Sequence, residues 1–68
     1  MRDPNRIKDY CDGLATIWNL VPNWRLSQLM MNAIHSYTQE RGNDPFYVED
    51  EEFLGYLCSF VMKVTENG

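Results

Sequence analysis

The chain has few cysteines, which removes one common source of stability in small proteins. Its 68 residues include two, Cys11 and Cys58, too few for the disulfide framework of a small secreted scaffold. Both fall at apolar positions of predicted helices, where a thiol packs as a small hydrophobic group. We therefore expect both cysteines in the core, and no Cys11–Cys58 disulfide in a reducing compartment.

Basic residues are also scarce. Six lysines and arginines stand against ten aspartates and glutamates, for a net charge of −4. The imbalance lies in residues 43–68, which hold one basic and six acidic side chains. Proteins that bind DNA or RNA directly carry a basic surface, so we do not expect a nucleic-acid partner.

Long apolar segments are missing as well. The sequence contains neither a signal-peptide-like hydrophobic region nor a run of about 20 apolar residues that could cross a bilayer. These absences predict a cytoplasmic protein with no membrane partner.

A first helix is predicted over residues 4–20. Asp3 and Pro4 form a helix-start signal, and Pro22 ends the pattern. Gly13 lies off the apolar stripe and weakens the helix by about 1 kcal/mol relative to alanine. The stripe repeats at spacings of three and four and consists of Ile7, Tyr10, Cys11, Leu14, Ile17, Trp18 and Val21.

A second helix is predicted over residues 26–40, with Gly42 as its stop signal. Its apolar stripe consists of Leu26, Leu29, Met30, Ala33, Ile34 and Tyr37. The Pro22–Asn23 pair marks a tight corner before this helix, so the first two helices should pack as a helical hairpin or at a steeper angle around Trp18 and Trp24.

A third helix is predicted over residues 50–64. Glu49 is the expected N-cap, and Val48 is placed to pack against Phe53. Its apolar stripe consists of Phe53, Leu54, Leu57, Cys58, Val61 and Val64. Pro45 keeps residues 43–48 out of a helix, so this aromatic connection should be extended, whereas residues 1–3 and 65–68 should fray.

Together these patterns predict one compact all-α domain over residues 1–68, with three helices. The chain resembles the YihD-like family of small bacterial and phage proteins of unknown function. The matching pattern is Arg6-Ile7, Leu14, Trp18, Pro22-Asn23, Leu26, Gln28-Leu29-Met30, and Val48 to Glu52 before Phe53-Leu54 and Leu57. Asn23, where the family usually has aspartate, and Trp24 after it are departures. The resemblance implies no activity.

No cluster has the spacing that catalysis or metal binding requires. Cys11, His35 and Cys58 lie on three separate helices without a local ligand pair, so we expect no metal. The run Glu49–Glu52 should splay around a helix start as a capped, solvated terminus. No phosphate loop, nucleophile set or cofactor motif is present, and we expect neither an enzyme nor a cofactor.

The favoured function is therefore a non-catalytic protein–protein interaction module with an unknown partner, and a homodimer is left open. Trp and Arg are frequent among the residues that dominate binding energy. The candidate partner-binding residues are Trp24, Arg25, Gln28, Phe46 and Tyr47. Each also has a structural interpretation, either in holding the corner or in covering the core.

Two other functions compete with this one. The acidic residues Glu49, Asp50, Glu51 and Glu52 could mimic nucleic-acid charge, making the protein a decoy that occupies a DNA- or RNA-binding protein. A helix-turn-helix regulator ranks last, because residues 26–40 contain no lysine or arginine to contact DNA.

Overall fold

The computed structural model describes residues 3–67. They form three helices, α1 (Arg6–Trp18), α2 (Leu26–Arg41) and α3 (Asp50–Asn67), and this part of the chain contains no β-strand. The prediction of an all-α three-helix fold is confirmed.

α1 is shorter at both ends than predicted. Before it, the Asp3 carboxylate accepts a hydrogen bond from the backbone N–H of Asn5 at 2.9 Å, which favours a turn over residues 3–5. After Trp18, the N–H groups of Leu20 and Val21 bond to carbonyls three residues back. The chain therefore leaves the α-helix four residues before Pro22, through a series of tight turns.

α2 ends within one residue of its predicted limit. The side chain of Gln28 accepts a hydrogen bond from the backbone N–H of Arg25 at 2.8 Å, which satisfies a donor at the helix start. At the other end, Gly42 adopts the left-handed conformation with φ 80°, and its N–H bonds to the carbonyl of Thr38. Gly42 thus acts as the predicted stop signal.

α3 starts as predicted but extends three residues further. The carbonyl of Glu49 accepts the N–H of Phe53 at 2.9 Å, as an N-cap carbonyl does. The helix then continues through Asn67, and the expected fraying of residues 65–67 stays a prediction. The expected fraying of residues 1, 2 and 68 lies outside the described residues.

The core lies where α1 and α2 meet α3. Half-buried side chains that include Trp18, Trp24 and Cys58 pack around it. Among the described residues, the buried side chains are Ile17, Val21, Leu29, Ala33, Tyr37, Leu57 and Val61.

α3 is the helix against which the other two pack. The start of α1 meets the start of α3 through Arg6 and Asp50, and Gly13 lies against Leu54, so α1 and α3 run in the same direction. α2 runs back from the corner. α1 and α2 each pack mainly on α3, and less against each other.

Part of the predicted α1 stripe is consequently not in the core. Ile7 is 53% exposed and Cys11 is also exposed, so the expectation that Cys11 is a core thiol is wrong. Cys58 is half-buried against the core. The physical reason is that α2 does not cover the first half of α1.

Candidate functional site

The space between α1 and α2 is an open groove with a volume of about 720 Å³. One wall is the first half of α1, with Ile7, Tyr10, Cys11 and Leu14 facing the groove. These residues recur at spacings of three and four, so they lie on one face of the helix. The groove wall is therefore the same stripe that the sequence predicts as core.

α2 supplies the other wall and α3 the floor. Met30 is half-buried and Ile34 is 39% exposed, and both line the groove from α2. Below them lie Leu54, which is half-buried, and Leu57, which is fully buried. The floor is thus part of the core, and the walls are apolar side chains that are half-buried or exposed.

The connection between α2 and α3 forms one end of the groove. The Asp44 carboxylate accepts the N–H of Phe46 at 3.0 Å, and the carbonyl of Pro45 accepts the N–H of Val48 at 3.1 Å. These bonds make the segment a turn, so the prediction of an extended connection is wrong. Pro45, Phe46 and Val48 all line the groove.

Phe46 and Tyr47 project from this turn into solvent. Their rings form an edge-to-face pair with centroids 4.9 Å apart, and they are 79% and 91% exposed. Neither covers the core, as their structural interpretation would require. Phe46 lines the groove, whereas Tyr47 lines a smaller depression beside it, together with Tyr37 and Glu52.

The polar residues of the groove lie at the same end. Nε of Arg6 donates to Oδ2 of Asp50 at 2.8 Å, and both side chains are about a third exposed, at 33% and 40%. Asp44 also lines the groove. An ion pair this accessible to water contributes modestly to stability, but it fixes the start of α1 beside the start of α3.

The acidic run at the start of α3 does not converge on one point. Asp50 faces the groove, Glu49 and Glu52 line the smaller depression, and Glu51 is exposed and lines neither. Successive helical side chains point in different directions, which accounts for this arrangement.

The other predicted partner-binding residues lie at the opposite end of α2. Trp24 is half-buried against the core, and its carbonyl accepts a hydrogen bond from Nε1 of Trp18 at 2.8 Å. Arg25 and Gln28 are exposed at the helix start. α2 is 16 residues long, about 24 Å, and most of that length separates these three residues from Phe46 and Tyr47, so the five candidates do not form one surface.

Sequence reasoning missed the groove because core and groove residues have the same periodicity. Ile7, Leu14 and Ile34 fit their helical stripes as well as the buried residues Ile17 and Leu29 do. A stripe predicts which face of a helix is apolar, but not whether a neighbouring helix covers it.

The molecule is correspondingly more open than a typical protein of its mass. Its accessible surface is 5353 Å² at 8.0 kDa, whereas a compact monomer of this mass exposes about 4450 Å². Its radius of gyration is 12.3 Å, against about 11 Å for a compact domain of this length.

The described residues contain neither a cluster of metal ligands nor a membrane-spanning helix. In residues 3–67 no three His, Cys, Asp or Glu side chains come together as a metal site would require, and His35 is exposed. None of the three helices has the length and apolar character needed to span a membrane.

Comparison with known proteins finds no matching family model, no matching curated protein and no matching solved structure. The resemblance to the YihD-like family therefore stays a prediction.

Proposed function

We propose that this protein is a non-catalytic interaction module of bacterial or phage origin, acting in the cytoplasm, which binds a segment of a partner protein between α1 and α2. The observation that carries the proposal is the convergence of exposed apolar side chains on one groove. Ile7, Ile34 and Phe46 are 53%, 39% and 79% exposed, and they line the same groove. Exposed apolar surface gathered in one place marks interaction sites in soluble proteins.

Two of the five predicted partner-binding residues support this site. Phe46 lines the groove and Tyr47 lies beside it, so a bound segment can bury both rings. Trp24, Arg25 and Gln28 hold the corner and the start of α2, and we assign them a structural role.

A comparative pull-down tests the proposal. Lysate of the source organism is passed separately over three immobilised proteins: the parent, the Ile34→Glu variant and the Met31→Glu variant. The retained proteins are identified by mass spectrometry. Met31 is a matched control because it lies on α2, is 70% exposed and does not line the groove. We expect a partner that the parent and Met31→Glu retain and that Ile34→Glu loses. A partner retained equally by all three proteins would contradict the proposal.

The decoy function has its own support in the charge of residues 43–52, which include five carboxylates and no basic side chain. Because Asp50 also bonds to Arg6, the cleaner test is the double variant Glu51→Gln, Glu52→Gln. A decoy should lose its partner in this variant, and the parent's binding should fall steeply as salt is added. A groove partner should keep most of its affinity.

A further inference from the structure

The dimensions of the groove limit what it can hold. From Ile7 to Leu14, the α1 wall is about 10 Å long, which is two helical turns. A helical segment of two turns therefore matches the length of this wall.

The charges around the groove select among helical segments. Asp44 and Asp50 line it, and Glu49 and Glu52 line the adjoining depression at the same end. Arg6 is the basic side chain of the groove, and it is bonded to Asp50. A bound segment with basic residues at this end would meet favourable charge, whereas an acidic one would be repelled.

A second copy of this chain is a poorer match. Each copy carries a net charge of −4, so two copies that associate across the groove would repel each other.

From these observations, and resting on the proposed function, we infer that the groove's occupant is a basic amphipathic helix of a partner protein. Its apolar face lies between α1 and α2 on Leu54, which is half-buried above the core. Its basic residues lie against the acidic segment 43–52. This is recognition of a helix in a groove, in which apolar side chains at i, i+3 or i+4, and i+7 are the anchors.

The inference is tested with three synthetic peptides of about 15 residues, long enough to form a helix. The first places leucines and lysines at amphipathic spacing, the second replaces each lysine with glutamate, and the third scrambles the first. Binding to the full chain is measured by fluorescence anisotropy. We expect the leucine–lysine helix to bind at least about tenfold more tightly than either control.

Two variants locate the bound peptide. Ile34→Glu and Met31→Glu add the same charge to the same helix. If charge alone attracted the basic peptide, its affinity would therefore increase in both variants. We expect Ile34→Glu to weaken binding at least about tenfold, and Met31→Glu to leave it unchanged. Circular dichroism checks that each variant is folded. If Ile34→Glu does not fold, Ile7→Glu replaces it on the opposite wall, where the side chain is 53% exposed.

Each contrary result overturns the inference in a different way. If the lysine and glutamate helices bind equally, and Ile34→Glu loses both, the groove binds helices without preferring basic ones. The proposed function would then stand. If the leucine–lysine and scrambled peptides bind equally, and both bind more tightly to Ile34→Glu and Met31→Glu than to the parent, only electrostatic attraction to the surface holds the peptides. A dimer in analytical ultracentrifugation would identify a second copy as the occupant. If no peptide binds, the inference fails, and the pull-down decides the proposed function separately.

Discussion

Gly13 of α1 lies directly against Leu54 of α3: a Cβ atom at position 13 would be 2.9 Å from Cδ2 of Leu54. The glycine that weakens α1 as an isolated helix therefore allows α1 to approach α3 closely. Leu54 also forms part of the groove floor, so this contact links the packing of α1 to the shape of the candidate site.

A double-mutant cycle measures this relationship. Gly13→Ala should change the free energy of unfolding by less than about 1 kcal/mol, because better helix propensity offsets the displacement of Leu54. In a Leu54→Ala background the overlap is absent, so Gly13→Ala should stabilise by about 1 kcal/mol. Urea denaturation of the four proteins gives the coupling energy. Equal effects in the two backgrounds would show that the contact has no energetic consequence.

The hydrogen bond from Trp18 to the carbonyl of Trp24 should contribute less than the Trp18 ring. We expect Trp18→Ala to lower the free energy of unfolding by about 3 kcal/mol or more, and to unfold so small a domain. Trp18→Phe keeps an aromatic ring but removes the donor, and should lower it by roughly 1 kcal/mol. Chemical denaturation followed by circular dichroism compares the two. A Trp18→Phe variant as unstable as Trp18→Ala would mean that the hydrogen bond dominates.

Two exposed glycines should respond to alanine in opposite directions. Gly42 has φ 80° and nothing within 4 Å of an added Cβ, so Gly42→Ala should lower the free energy of unfolding by about 1 kcal/mol through backbone strain alone. Gly55 lies within α3 and also has open space around an added Cβ. Gly55→Ala should therefore stabilise by up to about 1 kcal/mol. Thermal midpoints that shift in the same direction would contradict this assignment of backbone conformations.

Tyr56 joins α3 to the second half of α2. Its hydroxyl lies 2.7 Å from Oγ of Ser36 and 3.2 Å from Oε2 of Glu40, and its ring packs edge-to-face on Tyr37 with centroids 5.1 Å apart. Tyr56→Phe keeps the ring contact and should lower the free energy of unfolding by about 1 kcal/mol.

Ser36→Ala is the matched control, because it removes one partner and leaves the bond between Tyr56 and Glu40 intact. It should have a smaller effect, and the two substitutions should not be additive since they affect a shared hydrogen bond. Additive losses in urea denaturation would show that Ser36 and Tyr56 act independently.

Sequence reasoning predicted the features that depend on local chemistry. Gly42 ends α2 and Glu49 precedes α3, as predicted. Both features are predictable because stop and cap signals depend only on a few neighbouring residues. The predicted first helix is too long, since an apolar residue such as Val21 can be buried from a turn as well as from a helix. The turn at Phe46 was missed because its hydrogen bonds come from the Asp44 side chain and the Pro45 carbonyl, which periodicity does not represent.

The candidate site was predictable in its residue types but not in its location. Phe46 and Tyr47 were identified as aromatic residues outside the helical stripes, and they border the groove. Ile7 and Ile34 fit the predicted core stripes because sequence spacing cannot show which part of a helix a neighbouring helix covers. That coverage is a tertiary property, determined by how α1 and α2 pack on α3.

The dependence of both earlier helices on α3 has a consequence for synthesis. α1 and α2 leave the ribosome first, but they pack mainly against the helix that follows them. Until the segment through Val61 has emerged, the apolar faces of both helices have no floor on which to pack, and isolated helices of this length are marginally stable in water. The domain should therefore fold in one late step, and its nascent chain exposes Leu29 and Ile17 to chaperones and proteases until that step is complete.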